Sequence, residues 1–325
     1  MRLRRSNPAG PGLSRRRCGR GWQYRDANGV PLTDAEVQDR IRGLVIPPAW
    51  REVWICPYPN GHLQAVGTDE AGRRQYLYHE QWRVQRDEQK HDRVLDLVER
   101  LPEFRAAIDT DLTGRGLTCA RVHAGALRML DRGVFRTGGE EYADENGTRG
   151  VATLLKDDVA IVRGELAFCF TAKGGIERRL RMRDAELVKL VRSLRRAEHE
   201  TDRLLVYRNG DRQWREVHAD SINARFQDLT GDQFTAKDLR TWNATVVAAV
   251  AFAHAERQTS QRGRKRVEAA VLDQVAEQLG NTRAVARRSY VDPRVVAAFD
   301  RGRTIELSTR RADIEQAVAQ LVREG

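Results

Sequence analysis

The chain has little cysteine, few aromatics and no long apolar run, and each shortage closes off a class of protein. Four cysteines, Cys18, Cys56, Cys119 and Cys169, are spread over 325 residues with no CxxC pair, and the seven histidines do not cluster with them. A zinc site and a disulfide framework are both disfavoured, and reduced thiols in the cytoplasm fit best. The longest apolar stretch, VVAAVAFA at 246–253, falls far short of the roughly 20 residues of a bilayer span, so no membrane partner is expected. Acid is missing from the first twenty residues, which carry seven arginines. They also lack the apolar core of a signal peptide. The default expectation is a disordered basic arm, able to lie along DNA.

What the chain does have is positive charge. Its 57 Lys+Arg outnumber 46 Asp+Glu, for a net +11. Such a surplus favours polyanions, nucleic acid foremost, through phosphate contacts and counterion release. Arginine far outnumbers lysine. A guanidinium grips phosphate with two parallel hydrogen bonds, so the bias suits phosphate recognition, although a GC-rich genome produces the same bias.

The length suits two or three domains. Residues 1–88 read as a small β-rich domain. Asn28-Gly29 and Asn60-Gly61 are turn signals, Thr33 and Glu36 form a capping-box pattern for a helix through Leu44, and VWICPY, HLQAVGTD and RRQYLYH read as strands. Helical spacing from Glu80 leads into a mainly helical domain, 89–325. There Arg121–Asp131 and Asp184–Glu200 are amphipathic helices. Leu166, Phe168 and Phe170 alternate toward a Gly174-Gly175 turn, and IERRLRM returns, making a hairpin with Lys173 at its tip. Thr235 and Asp238 would cap a largely buried helix. The stretch 256–266 reads as a mobile basic linker, 267–280 as a helix closed by Gly280, and Thr304–Val322 as a last helix.

Four stretches stand out together: FRTGGEEY with Arg136 and Tyr142, FTAKGG with Lys173, KDLRTW with Arg240, and GNTRAVARRSY with Asn281 and Tyr290. Taken singly, each is ordinary. Arg136 and Arg240 would be surface ion-pair residues, Lys173 a solvated turn residue, and Tyr290 a helix-end aromatic. In this order and spacing they resemble the type IB DNA topoisomerases, in the compact poxvirus-like form found in bacteria. IPPAWREVWICPYPNGHLQAVGTDEAGRRQYLYHEQW is similar to that family's small β-rich domain, with GRRQY and KDLRT the most specific pieces, and the resemblance runs over most of the chain.

The resemblance implies an α+β protein whose two domains clamp duplex DNA as a monomer. It implies relaxation of positive and negative supercoils through a transient 3′-phosphotyrosyl bond at Tyr290, without metal or nucleotide cofactor, at the nucleoid. Arg136 and Arg240 would hold the scissile phosphate, and Lys173 would protonate the leaving 5′ oxygen. The chemistry asks for such a set. A phenol has a pKa near ~10 and attacks poorly at neutral pH, and attack on a phosphodiester gathers negative charge that fixed cations stabilise. Eukaryotic and poxvirus members carry histidine nine residues before the tyrosine. Here Asn281 stands there, able to donate a hydrogen bond but not to carry charge; its place after Gly280 equally suits a helix N-cap. Gln75, Tyr76 and Tyr78 match family positions that touch DNA, with one of the two tyrosines a candidate for a purely structural role. Tyr142 is a further base-contact candidate. Arg178, Arg179, Arg181 and Arg183 are either backbone contacts or a solvated strand face.

Two other functions fit part of the pattern. A tyrosine recombinase shares the chemistry and a similar ending, but its histidine-bearing motif around the second arginine is absent, where KDLRTW stands. A non-enzymatic architectural DNA-binding protein explains the charge but not the ordered group.

Overall fold

Strand signals concentrate before residue 80 and helical periodicity after it, and the chain divides accordingly into two compact units, Met1–Gln89 and Lys90–Gly325. The structure, a computed structural model, describes residues 2–324 apart from 134, 140–146, 209, 212 and 257. Tyr142 lies outside the described residues.

The first unit is an antiparallel sheet of β1 (Leu13–Cys18), β2 (Gly21–Arg25), β3 (Arg51–Ile55), β4 (Leu63–Thr68) and β5 (Arg74–Tyr78), in the order β2-β1-β3-β4-β5. Helix α1 (Ala35–Gly43) contributes Ile41 to a core with Leu13, Val53, Ile55 and Ala65. The supposed disordered arm is a correction: its second half is β1. A tight turn with Gly19 at φ 56° lets Cys18 pair with Gly21. The Arg15 guanidinium lies 4.1 Å from the centre of the Trp22 ring and donates to the carbonyls of Ile46 at 3.0 Å and Trp50 at 3.1 Å. An arginine run reads as solvated, yet the flat guanidinium and its stem can pack on an aromatic face. The α1 cap also differs from expectation. Asp34, not Thr33, is the N-cap, accepting from Glu36 N at 2.9 Å and Val37 N at 3.2 Å; a carboxylate there also meets the positive helix end.

The division between units falls within α2 (Glu80–Leu112), which continues through Pro102. Phe104, Ile108 and Leu112 extend its buried stripe, and their burial offsets the roughly 3 kcal/mol that an interior proline costs. The second unit adds α3 (Cys119–Gly133), a three-stranded sheet of β6 (Val159–Val162), β7 (Glu165–Ala172) and β8 (Ile176–Met182), then α4 (Ala185–Arg196) and a small ribbon of β9 (Val206–Arg208) and β10 (Trp214–Glu216). Six further elements complete it: α5 (Ala219–Thr230), α6 (Ala236–His254), α7 (Gln261–Leu279), α8 (Arg283–Ser289), α9 (Pro293–Asp300) and α10 (Arg311–Arg323). β6 and the β9–β10 ribbon were not expected.

Two boundaries are corrected. The basic linker ends at Ser260, whose hydroxyl accepts from Gly263 N at 3.0 Å and starts α7 six residues earlier than its apolar residues suggest. The last helix begins at Arg311, not Thr304. It is fastened by a buried ion cluster: Arg105 donates to Glu315 at 2.6 Å and Asp131 at 3.0 Å, and Arg311 to Asp131 at 2.9 Å and Glu315 at 2.8 Å. Burial opposes the Arg105 charge, but the two carboxylates outweigh it and hold the guanidinium above its ordinary value. Among the described residues no helix is long and apolar enough to cross a membrane.

Candidate active site

Each part of the constellation is delivered by a different element. Arg136 sits in an extended segment after α3. Its neighbour Phe135 packs edge-on to Phe168 at 5.1 Å and stacks with Phe170 at 5.7 Å, so the segment is anchored to the β7–β8 hairpin. Gly138 crosses Gly150 so closely that a Cβ on Gly150 would lie 2.4 Å from the Gly138 Cα, and the crossing is sealed by Val151 N donating to Arg136 O at 2.9 Å. Lys173 rides at the hairpin tip, where Gly174 and Gly175 take φ of 87° and 74°.

Arg240 follows from helix capping. Thr235 caps α6 with Asp238, whose carboxylate accepts from Thr235 N at 3.0 Å, and Arg93 donates to Asp238 at 2.7 Å. Arg240 then falls in the next turn, turned inward and only 5% exposed. Tyr290 ends α8. Thr245 of α6 holds its backbone, the hydroxyl lying 3.2 Å from Tyr290 O and accepting from Asp292 N at 3.1 Å.

Arg136, Lys173, Arg240 and Tyr290 line one cleft of about 330 Å³, together with Lys237, Thr148 and Arg149. The Arg240 guanidinium carbon lies 5.3 Å from the centre of the Tyr290 ring. Tyr290 is 8% exposed. Burial alone would raise its hydroxyl pKa; the charges of Arg240, Arg136 and Lys237 outweigh burial and hold it below the ordinary phenol value. Arg240 is pulled down to about 10, mainly by burial and then by Arg136, and stays charged at neutral pH.

Three guanidiniums converge on one helix end. Gly280, at φ 59°, closes α7; Gly280 N donates to Glu277 O at 3.1 Å and Asn281 N to Ala276 O at 2.9 Å. That closure leaves the next carbonyls open. Arg178 donates to Glu277 O and Gln278 O, Arg240 to Leu279 O, and Arg136 to Gly280 O at 3.2 Å and to Asn281 Oδ1. Two like charges roughly 7 Å apart repel by about 2 kcal/mol at an effective dielectric near 20. The negative helix end offsets part of that repulsion.

Asn281 does not line the cleft but is tied to it through Arg136. It is not the N-cap of α8; Thr282 is, accepting from Val285 N at 3.3 Å. The Asn281 Nδ2 is buried with no hydrogen-bond partner among the described residues. Of the strand arginines, Arg179 and Arg181 are exposed, as a solvated face requires, and Arg179 pairs with Glu177 at 2.5 Å. Arg183, just beyond the strand, is exposed and pairs with Glu165. Arg178 departs from that face, sharing the inward side with Leu180 and Met182. In the first unit Tyr76 and Tyr78 project from β5 on one face, 48% and 38% exposed, with ring centres 6.2 Å apart. Neither tyrosine is a core residue. Gln75 lies on the other face and donates to Asp69 at 2.9 Å.

Sequence reasoning missed Lys237. Its position three residues before Arg240, one helical turn, was the available signal. It missed Arg149 too, which no motif marks.

A phenol among cations in one cleft of a mainly helical unit is chemically suited to a phosphate ester. Comparisons with known proteins give the family. Residues 79–313 match the family model described as eukaryotic DNA topoisomerase I, catalytic core, and residues 21–69 match that of bacterial DNA topoisomerase IB, N-terminal domain. Over 271 residues, 81% of this chain and 80% of the relative, the sequence is 31% identical to DNA topoisomerase 1B of Acanthamoeba polyphaga mimivirus. The chain belongs to the type IB DNA topoisomerases, and it is an isomerase of that type acting on DNA.

Proposed function

We propose that the Tyr290 oxygen attacks a phosphodiester of duplex DNA, forms a bond to the 3′-phosphate and displaces the 5′ oxygen. The phenol proton passes to solvent water, and Lys173 supplies a proton to the departing alkoxide. Arg136 and Arg240 donate to the nonbridging oxygens, where charge grows in the transition state. Asn281, outside the cleft, accepts from Arg136 through Oδ1 and helps hold that guanidinium toward the phosphate. Rotation of the free end relaxes supercoils of either sign, and attack by the 5′ hydroxyl on the phosphotyrosine reseals the strand. The new ester conserves the energy of the old one, so no nucleotide is required. Arg136, Arg240 and Lys173 neutralise charge themselves, so the step should proceed in EDTA.

The observation that carries this reading is the shared cleft of Tyr290, Arg240, Arg136 and Lys173. In the first unit Tyr76 and Tyr78 offer an exposed aromatic face to DNA, and Gln75, on the opposite face of β5, is a further contact. Arg179 and Tyr142 are further DNA contacts. The two units grip the duplex from opposite sides, as a monomer, at the nucleoid. Mixing the protein with 3′- and 5′-labelled cleavage substrates, in EDTA and without nucleotide, tests the chemistry. A denaturing gel should retain the label on the 3′-phosphate side of the break, and mass spectrometry should locate the adduct on Tyr290. An adduct of the opposite polarity, or none, sinks the reading.

A further inference from the structure

The chemistry proposed above uses Arg136 and Arg240 but leaves Arg178 unassigned, although it is bound to the same helix end. Arg178 does not line the Tyr290 cleft. Its two terminal nitrogens reach two successive carbonyls, Glu277 O and Gln278 O. The next two carbonyls hold the two arginines proposed to grip phosphate, Arg240 on Leu279 O and Arg136 on Gly280 O. The carbonyls of residues 277, 278, 279 and 280 thus form one continuous ledge occupied by three guanidiniums. Gly280 lies directly under Arg178, and a Cβ there would sit 3.4 Å from the Arg178 Cδ.

We propose that Arg178 is a positioning residue. By clamping the first two carbonyls of this ledge it fixes the next two, and through them the aim of Arg240 and Arg136 at the scissile phosphate. A bidentate fork is suited to this because it fixes direction as well as distance, which a single ammonium cannot. The strand register supports the assignment. Arg178 shares the inward side of β8 with Leu180 and Met182, while Arg179 and Arg181 point outward. The hairpin that carries Lys173 at its tip therefore also carries the clamp, so one rigid element sets both the lysine and the ledge.

This inference rests on the proposed chemistry, and the experiment separates the two. Single-turnover cleavage at saturating DNA, DNA affinity and its salt dependence, and thermal stability are measured for wild type, Arg178→Ala, Arg178→Lys, Arg136→Ala and the Arg136→Ala/Arg178→Ala double variant. Arg178→Ala should slow cleavage by on the order of tenfold to a hundredfold, the effect of a misplacement of about 1 Å near reacting groups. Affinity and salt slope should stay unchanged. Arg178→Lys should recover part of the rate. The double variant should be slower than Arg136→Ala alone by less than the full Arg178→Ala factor, because Arg178 still aims Arg240 when Arg136 is gone and residues acting in one unit are not additive. Weaker binding with a shallower salt slope and an intact rate would make Arg178 a DNA contact instead. Lower stability with unchanged rate, or fully additive losses, would make it a structural cap only. Either result overturns the proposal. A wild type that forms no Tyr290 adduct overturns the underlying chemistry.

Discussion

Two arginine clusters sit partly buried in the second unit, and they are built on opposite principles. In one, Arg105 and Arg311 face the carboxylates of Asp131 and Glu315, so charge is cancelled within the protein. In the other, Arg136, Arg178 and Arg240 make their described hydrogen bonds to backbone carbonyls and one amide oxygen. Carbonyls orient a guanidinium without neutralising it. The first cluster is finished without a ligand and fastens the last helix. The second keeps net positive charge, which an arriving phosphate can complete. A difference in partners, not in residue type, separates a structural arginine from one prepared for substrate.

That contrast can be broken experimentally, beginning where the effect is largest. Tyr290→Phe should abolish covalent adduct and plasmid relaxation while DNA binding is retained; an adduct surviving in that variant would place the nucleophile elsewhere. Arg240→Ala should slow single-turnover cleavage by roughly 10²–10³-fold, the usual loss for one preorganised donor at a developing charge. Glu315→Ala belongs to the neutralised cluster and should behave in reverse. Leaving Arg105 and Arg311 with Asp131 alone should cost about 1–3 kcal/mol in denaturant unfolding. Cleavage at saturating DNA, measured well below the melting transition, should be unchanged. If Glu315→Ala instead slowed cleavage as Arg240→Ala does, the separation of the two clusters would be wrong.

Smaller effects sharpen the picture. Asn281→Ala should lower the cleavage rate by about tenfold, the loss of one hydrogen bond that orients Arg136, with little change in stability because Thr282 caps the helix. The pH profile supplies the finest test. Arg240, Arg136 and Lys237 hold the Tyr290 hydroxyl below its ordinary value against the opposing effect of burial. The second-order cleavage rate, which reports the free enzyme, should rise with pH and level off below the ordinary phenol value near ~10. Removing the Arg240 charge should raise the phenol pKa and move that limb to higher pH. A limb that stays in place would mean that Arg240 acts on the phosphate alone.

Much of this was legible in the one-dimensional pattern, for definite reasons. Period-two alternation across Leu166, Phe168 and Phe170, followed by two glycines, specified the hairpin and Lys173 at its tip. Thr235 and Asp238 specified where α6 starts, and hence the turn on which Arg240 falls. What misled was charge. Arginine runs read as solvated, yet β1 packs Arg15 on Trp22, and 261–266 is the first turn and a half of α7. Guanidinium groups hide well when carbonyls or rings meet them, and those partners are distant in sequence.

The sequence by itself determined the residue types of the site, their order, the local elements that carry them and the surplus of positive charge, because caps, turns and periodicity act over a few residues. Only the tertiary structure decided which arginines are neutralised and which are held charged. Whether a guanidinium meets a carboxylate or the carbonyl end of a helix depends on contacts such as Arg136 with Gly280 and Arg105 with Glu315. No local rule reaches across such separations; the packing of the core sets them.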